Sequence, residues 1–195
     1  MELLQNQHQL IEKWTEKASA LRWLHDSSHR HYKALNNRFS YISIVLSTIT
    51  GIGGFGVAGT TSYVPYILAS LNILTGLIAS FQKFVRAAEK GEAHANVSRQ
   101  YASFVRNVTM EMNMGLSDDE FVDFVKYFKN DYERLCSISP DVPKKVLKKF
   151  KKKFPNIENP PEICNTIINT DLETNRSGFM RTFTKPLRVS VRADE

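Results

Sequence analysis

The sequence lacks charged side chains over one long stretch. Arg38 and Lys83 bracket 44 residues, Phe39 to Gln82, that contain no Asp, Glu, Lys or Arg. A single helix of that length would extend about 66 Å, roughly twice the thickness of the hydrocarbon core of a bilayer. The absence of charge also disfavours a helical hairpin of a soluble protein, because the outer faces of such a hairpin carry charges. We therefore predict a membrane segment that folds back on itself.

The middle of this charge-free stretch carries the signals of a turn. Five glycines loosen the chain, the polar segment 60–62 can cap a helix, and Pro65 favours the start of a new one. The two predicted transmembrane helices run from Phe39 to Val57 and from Tyr63 to Phe81. The glycines are Gly51, Gly53, Gly54, Gly56 and Gly59.

Basic residues flank the stretch on both sides, whereas the loop between the two predicted helices has no charge. Because basic residues are retained on the cytoplasmic side, both chain ends are predicted to face the cytosol or the equivalent interior of a particle. A polar stretch of nearly forty residues precedes the apolar run, so a removable signal peptide is not expected. The flanking residues are Arg30, Lys33 and Arg38 before the stretch and Lys83, Arg86 and Lys90 after it.

The signals of catalysis are also lacking. We find no nucleophile paired with a base, and the glycine run lacks the lysine and the strand context of a phosphate-binding loop. The chain has two cysteines, Cys136 and Cys164, and both lie on the predicted interior side, where thiols stay reduced. His25 and His29 share one helical face, but two imidazoles without cysteine or a carboxylate set make a weak metal site. We predict no enzyme, no cofactor and no metal.

Helical patterns fill most of the remaining chain. An amphipathic helix with one apolar face needs a partner, and for the N-terminal helix we expect that partner beyond the second span. There the helical pattern runs on toward Gly115, and a new helix starts at Ser117, which can form a capping box with Glu120. The predicted fold class is all-α: an integral membrane helical hairpin with long amphipathic interior-facing helices and an irregular C-terminal tail. The four predicted segments are an amphipathic N-terminal helix at 1–37, a two-helix transmembrane hairpin at 38–82, interior-facing helices at 83–153 and an extended basic tail, rich in Pro, Asn and Thr, at 154–195.

Small and hydroxyl-bearing residues recur along both predicted spans. Asn72 lies at the centre of the second span, where an amide that faces lipid is unfavourable. Two interpretations stay open: the stripe only holds the two helices together, or several hairpins associate and the stripe lines a path across the membrane. Neither span contains an acid or a base, which disfavours a proton relay or an ion-coupled transporter. The predicted polar stripe is Ser40, Ser43, Ser47, Thr50, Asn72 and Gly76.

Seven lysines lie within ten residues near the end of the interior-facing segment. Beside a membrane, this concentration of charge indicates binding to anionic lipid headgroups rather than to a specific nucleic acid. Apolar residues are interleaved with the lysines, so we predict an amphipathic helix that lies on the membrane surface. The lysines are Lys144, Lys145, Lys148, Lys149, Lys151, Lys152 and Lys153.

The order of these features resembles SLATT-domain proteins. The resemblance rests on the helix that carries Trp14, the charge-free hairpin, the segment Ala-Glu-Lys-Gly-Glu-Ala-His at 88–94 and the segment Ser-Pro-Asp-Val-Pro at 139–143. It covers about residues 10–153 and leaves the tail after Phe154 outside. The resemblance implies a two-helix membrane effector of the kind inferred to form pores or disturb membranes in bacterial and viral conflict systems, often beside a nucleotide-sensing partner.

We therefore expect an oligomeric membrane protein that acts as a pore-forming or membrane-disrupting effector. The alternative is a structural protein that anchors a larger assembly to a membrane, such as a minor capsid or inner-membrane protein of a large DNA virus. The expected partners are anionic membrane lipids, further copies of the chain and, through the C-terminal tail, other proteins.

Overall fold

A computed structural model describes residues 2–55, 63–114, 117–157 and 159–164, and over these residues the fold is all-α, as predicted. The predicted turn between the two spans and most of the predicted tail lie outside the described residues. The helices in the described part of the chain are α1 (Glu2–Phe55), α2 (Val64–Val85), α3 (Ala87–Met112), α4 (Asp118–Ile138) and α5 (Lys144–Lys153), followed by a 3-10 turn at Glu162–Cys164.

Helix α1 is one continuous helix of 54 residues, about 81 Å long at 1.5 Å per residue. The boundary predicted between segments 1–37 and 38–82 falls inside it without a break. Its N-terminal part belongs to a packed head, formed by residues 8–35 together with α3, α4, α5 and the 3-10 turn. Its C-terminal part, residues 39–55, forms an apolar arm together with α2.

Helices α2 and α3 run antiparallel to α1 in a single register. Three contacts along α1 involve residue pairs whose numbers each sum to 120, so the pairing continues from the arm into the head. One helix of the hairpin is therefore unbroken, whereas the other consists of two helices placed end to end. The three pairs are Ser98 with Arg22, Gly91 with His29, and Phe81 with Phe39.

The junction between α2 and α3 differs from the predicted continuous helix. Arg86 has a φ of 51° and separates the end of α2 at Val85 from the start of α3 at Ala87. A residue other than glycine is uncommon in this left-handed region, and neither glycine nor proline marks the break in the sequence. The Arg86 guanidinium forms an ion pair with the carboxylate of Glu89 in the first turn of α3. The break therefore lies at the boundary between the arm and the head.

The core of the head is rich in aromatic side chains. Phe121 and Phe128 of α4 are buried, and the Phe128 ring lies 5.5 Å from the ring of Phe104 on α3. The aromatic face of α4 is therefore part of the core of the head. The predicted capping box is also confirmed, since the Glu120 carboxylate accepts hydrogen bonds from the backbone N–H and the hydroxyl of Ser117 at 3.0 and 2.6 Å.

Candidate functional site

The apolar arm leaves its large side chains on the surface. Helix α2 contains no buried residue, and Ile52, Ile73 and Leu77 of the arm are 71%, 67% and 63% exposed. In the head, side chains as large as Tyr101 and Phe104 are 0% and 2% exposed. A contiguous exposed apolar surface is rare on soluble monomers and marks contact with a membrane or with another protein. The arm is therefore the candidate functional segment.

One helical stretch of the described residues is long and apolar enough to cross a membrane. The stretch is Val64–Met112, which includes all of the second predicted span except Tyr63, and none of its apolar window is buried. The first predicted span is described as far as Phe55, which gives 17 charge-free helical residues from Phe39, whereas a spanning helix needs about 20. Its remaining residues lie outside the described part, so a crossing by two helices stays a prediction.

Helices α1 and α2 pack together where the arm meets the head. The rings of Phe39 and Phe81 lie 5.5 Å apart, edge to face. The side-chain amide of Gln82 donates hydrogen bonds to Asn36 Oδ1 and to Ser40 Oγ, both at 3.2 Å. Hydrogen bonds between uncharged side chains thus link α1 and α2 at the boundary of the charge-free stretch.

A glycine brings the two helices close together toward the other end of the arm. A Cβ atom added to Gly53 would lie 2.8 Å from Leu68 Cδ2, so a larger residue would displace the leucine. Gly51 and Gly76, by contrast, have open space at the corresponding position among the described residues. Gly53 therefore shapes the hairpin, whereas Gly51 and Gly76 lie on its outer surface.

Three residues of the predicted polar stripe are half-buried along α1. Ser40 accepts the hydrogen bond from Gln82, and Thr50 donates its hydroxyl to the backbone carbonyl of Leu46 at 3.0 Å. The Ser43 hydroxyl oxygen is buried and has no hydrogen-bond partner within the described residues. This part of the stripe lies inside the hairpin, in accordance with a role in holding the two helices together.

The other three residues of the stripe, Ser47, Asn72 and Gly76, are exposed. The half-buried residues of α2 recur at alternating steps of three and four, and Asn72 and Gly76 each lie one position beyond this row. Packing of α2 on α1 therefore leaves the Asn72 amide on the outer surface of the arm. The row consists of Leu68, Leu71, Thr75, Ile78 and Gln82.

Two histidines meet inside the head. His25 Nδ1 of α1 lies 2.8 Å from His94 Nδ1 of α3, so one imidazole donates a hydrogen bond and the other accepts it. Each side chain is 1% exposed. The Tyr101 ring stacks on His25 with a centroid separation of 5.8 Å, and the Tyr32 ring stacks on His94 at 5.5 Å. The two imidazoles are therefore enclosed by aromatic rings.

This pairing differs from the histidine pair considered from the sequence. His29, one turn after His25 on α1, forms a hydrogen bond with the carbonyl oxygen of Gly91 at 2.9 Å instead of joining His25 in a metal site. In the part of the chain that the structure describes, no cluster of three or more His, Cys, Asp or Glu side chains is arranged to hold a metal ion. His25 and His94 are brought together across 69 residues of sequence.

The histidine pair is held in its neutral form. Burial, with a smaller contribution from the neighbouring His94, lowers the pKa of His25 to about 4. Burial also lowers the pKa of His94 to about 4, with a smaller contribution from His29. A neutral donor and a neutral acceptor fit the 2.8 Å contact, because two imidazolium rings would repel each other. His25 Nε2 is buried without a partner among the described residues.

A cavity of about 290 Å³ lies beside the pair and is lined in part by His25, Tyr101, Cys136 and Ser139. The Tyr101 hydroxyl lies 3.1 Å from Ser139 Oγ and donates to Cys136 Sγ at 3.7 Å. Burial raises the pKa of Tyr101 well above its ordinary value. The phenol therefore stays protonated and links α3 to the end of α4.

Helix α5 differs in one respect from the predicted surface helix. Its apolar residues Val146, Leu147 and Phe150 are buried in the core of the head, and the Phe150 ring lies 5.6 Å from the ring of Trp23 on α1. The apolar face therefore packs against protein and is not available to a membrane. Of the seven lysines, Lys144, Lys145, Lys148, Lys149, Lys152 and Lys153 are exposed and Lys151 is half-buried.

The C-terminal end of α5 lies well back from the arm. Lys153 Nζ is 5.3 Å from the centroid of the Trp23 ring, and 16 residues of α1 separate Trp23 from Phe39, which corresponds to about 24 Å along the helix. Charges in water are largely screened beyond about 8 Å at physiological ionic strength. Binding of these lysines to headgroups, which stays a prediction, therefore requires an anionic surface close to α5 itself.

Comparison of the chain with protein-family models, with curated proteins and with solved structures gives no match.

Proposed function

We propose that the chain is an integral membrane protein whose two-helix arm is embedded in a bilayer, with both chain ends on the interior side. Several copies associate through their arms into a pore-forming or membrane-disrupting assembly, as the resemblance to SLATT-domain proteins suggests. The observation that carries the proposal is the position of Asn72 on the outer surface of an arm whose second helix has no buried residue.

The apolar surface supports the membrane part of the proposal. Exposed isoleucine and leucine side chains in water would favour aggregation, whereas in a bilayer the same side chains are solvated by lipid. The charge-free stretch ends where the packed head begins, next to the basic residues Arg38 and Lys83. Basic residues on both helices of the chain at the head-proximal end of the arm favour an interior location of the head.

The Asn72 amide supports the association of several copies. An amide that faces hydrocarbon without a partner is unfavourable, and α1 of the same chain packs on a different face of α2. A helix from a second copy or a water-filled path would satisfy the amide. Gly76 lies one turn from Asn72 on the same exposed face, and small residues of this kind let neighbouring helices approach closely.

The experiment that tests the proposal is reconstitution of the full chain into lipid vesicles and nanodiscs. Native mass spectrometry of the nanodiscs gives the number of copies, and dye-loaded vesicles report ion flux. We expect a defined oligomer and flux that depends on the protein. A monomer in the membrane, together with vesicles that stay sealed at every protein density, would overturn the proposal.

The alternative function, a membrane anchor of a larger assembly, is favoured by one observation. The exposed lysine face of α5 stands about 24 Å from the arm along α1, which leaves it available to an acidic protein partner in the interior. In this case truncation after Phe154 should block assembly with other proteins, whereas reconstituted vesicles should stay sealed. The two functions therefore differ in flux and in the effect of the truncation.

A further inference from the structure

The head carries an open groove at its end farthest from the arm. The groove lies between the C-terminal part of α3 and the N-terminal half of α4 and encloses about 620 Å³. Met110, Met114 and Tyr127 line it and are 59%, 73% and 66% exposed. Large apolar side chains on a folded head that stands clear of the arm mark a surface that binds something other than the bilayer around the arm. Methionine side chains adapt easily to a bound apolar partner.

The groove is also acidic. Glu111, Glu120 and Asp123 line it together with the apolar residues. The side chain of Asp123 is 84% exposed and forms an ion pair with Lys126 at 3.3 Å, and such exposed pairs are weak. A partner that carries both cations and large apolar side chains would match this surface.

One segment of the chain has this composition. Residues 176–192 contain five cations and no acid, and apolar side chains alternate with the charges. This segment lies outside the described residues, and the membrane role proposed above does not use it. Its cations are Arg176, Arg181, Lys185, Arg188 and Arg192, and its apolar residues are Phe179, Met180, Phe183, Leu187, Val189 and Val191.

We propose that residues 176–192 bind in the groove between α3 and α4 of the same chain. The apolar side chains pack against Met110, Met114 and Tyr127, and the cations pair with the carboxylates of the groove. This interaction goes beyond the proposed membrane function and does not depend on it, because both the groove and the segment lie outside the arm.

The position of the last described residues lets the segment reach the groove. The 3-10 turn that precedes it lies beside α1, since Glu162 Oε1 is 3.9 Å from Lys17 Nζ. Just before the turn, Asn159 Nδ2 donates to Glu16 Oε2 at 3.0 Å. The groove lies near the N-terminal end of α1, where the His8 ring stacks on Phe121 at 4.2 Å. Eight residues of α1 separate Glu16 from His8, which is about 12 Å along the helix.

The chain between the 3-10 turn and the proposed binding segment is long enough to reach the groove. Fifteen residues lead from Cys164 to Phe179, and an extended chain of that length spans up to about 50 Å. Because the segment is tethered to its own groove, its effective concentration is on the order of millimolar. The segment of the same chain therefore competes well against a free partner or against the tail of a second copy.

Photo-crosslinking of the full chain in nanodiscs tests the proposal. Tyr127 is replaced by the photo-reactive residue p-benzoylphenylalanine, and the cross-linked peptides are mapped by mass spectrometry. We expect cross-links to residues 176–192. The same label at Glu133, which lies on α4 outside the groove with its side chain 64% exposed, serves as the control and should not reach the segment.

A charge variant tests the electrostatic part. Glu111→Gln with Asp123→Asn should lower the cross-link yield by about threefold to tenfold, because two weak ion pairs are lost. Glu92→Gln with Glu133→Gln removes two charges elsewhere on the head and should leave the yield unchanged. Circular dichroism confirms that each variant stays folded.

Isotope mixing identifies which copy provides the segment. When nitrogen-15-labelled and unlabelled chains are mixed, cross-links within one copy remain uniformly labelled or unlabelled. Cross-links between the two isotopic forms would assign the occupant to a second copy and overturn the proposal. Cross-links only to lipid or to another protein, or an unchanged yield in the charge variant, would overturn it as well.

Discussion

The Nδ1 atoms of His25 and His94 lie 2.8 Å apart inside the head and connect α1 to α3. Their residue numbers sum to 119, so they lie on the seam in which α3 runs antiparallel to α1. In a hydrogen bond between two neutral imidazoles, one of the facing nitrogens carries a proton and the other carries none. A second proton between the rings would break this hydrogen bond. The packing of the head against α1 is therefore linked to pH.

The first prediction is that the head loses stability as the pH falls from 6.5 toward 4. The pKa of both His25 and His94 is lowered in the folded state to about 4, from 6.5. Between these pH values the unfolded chain binds more protons than the folded chain. The free energy of unfolding of the head is therefore highest above pH 6.5 and falls on acidification. At about 1.4 kcal/mol per pKa unit, we expect a loss of a few kcal/mol in urea denaturation at pH 4.5 relative to pH 7.5.

Nitrogen-15 NMR of the imidazole rings provides the independent measurement. His25 and His94 should keep the signals of neutral rings down to about pH 5. A His31→Asn variant, which alters a histidine outside the pair, should retain the pH dependence of the wild-type chain. Titration of either paired ring near 6.5 would contradict this prediction.

The composition of the sequence already indicated the main elements of this fold. The charge-free stretch located the apolar arm, the helical pattern of the remaining chain predicted the amphipathic helices of the head, and Ser117 with Glu120 marked the start of α4. Each of these features depends on residues that are close together in the sequence, so a short sequence window is enough to detect it. The break at Arg86 was missed because arginine rarely adopts a left-handed conformation and no glycine or proline signals it.

The candidate site was less accessible from the sequence. Spacing along a helix shows which residues share a face, but it does not show which face packs on a neighbour. The predicted stripe is therefore split, with Ser43 half-buried within the hairpin and Asn72 on the outside. The contact between His25 and His94 depends on the register between α1 and α3, which no local pattern specifies; a lone His94 among alanines was the only signal.

The second prediction concerns Gly91, which lies buried in the seam between α1 and α3. A Cβ at this residue would lie 3.4 Å from Tyr32 Cβ, which is ordinary contact, so Gly91→Ala should be neutral or stabilise by up to about 1 kcal/mol through helix propensity. Gly91→Leu should destabilise by about 1–3 kcal/mol because it overpacks the seam. Thermal denaturation followed by circular dichroism measures both.

The matched control for Gly91→Leu is Ala88→Leu, a similar enlargement at an exposed position on the outer face of α3. Its effect should stay within about 0.5 kcal/mol. Equal destabilisation by the two leucine variants would show that the seam is not closely packed at Gly91.

The third prediction concerns the lysine face of α5. With the arm inserted in neutral nanodiscs, the full chain should bind vesicles that contain phosphatidylserine, and the binding should weaken with salt. Replacement of Lys148, Lys149 and Lys152 by Gln should lower the affinity about a hundredfold, at about 1 kcal/mol per basic residue near the surface. Vesicle flotation measures the binding.

A variant of equal net charge controls for a general effect of charge. Lys13, Lys126 and Lys129 are exposed lysines elsewhere on the head, and their replacement by Gln should change the affinity only a few-fold. If both triple variants lose binding equally, the lysine face has no special role. Unchanged vesicle binding together with strong binding to nucleic acid would assign the face to a phosphate backbone instead.

The fourth prediction distinguishes a pore from an anchor and rests on the exposed polar residues of the arm. Asn72→Leu together with Ser47→Leu should abolish ion flux from reconstituted vesicles, because both changes remove polar groups that would line a path between the associated arms. Interhelical hydrogen bonds in membranes contribute only about 0.6 kcal/mol on average. The oligomer should therefore persist, and native mass spectrometry of the nanodiscs checks that it does.

Ser70 provides the matched control for this variant. It is exposed on α2, its hydroxyl donates to the backbone carbonyl of Tyr66 at 2.8 Å, and it lies two positions from Asn72, which places it about 200° away around the helix. Ser70→Leu should therefore leave the flux unchanged if only the face that carries Asn72 lines a path. Equal loss of flux in both variants would indicate general disturbance of the arm. If flux survives the Asn72 and Ser47 changes, the polar stripe does not line the conducting path. Disruption of the bilayer by the apolar arm itself would then be favoured.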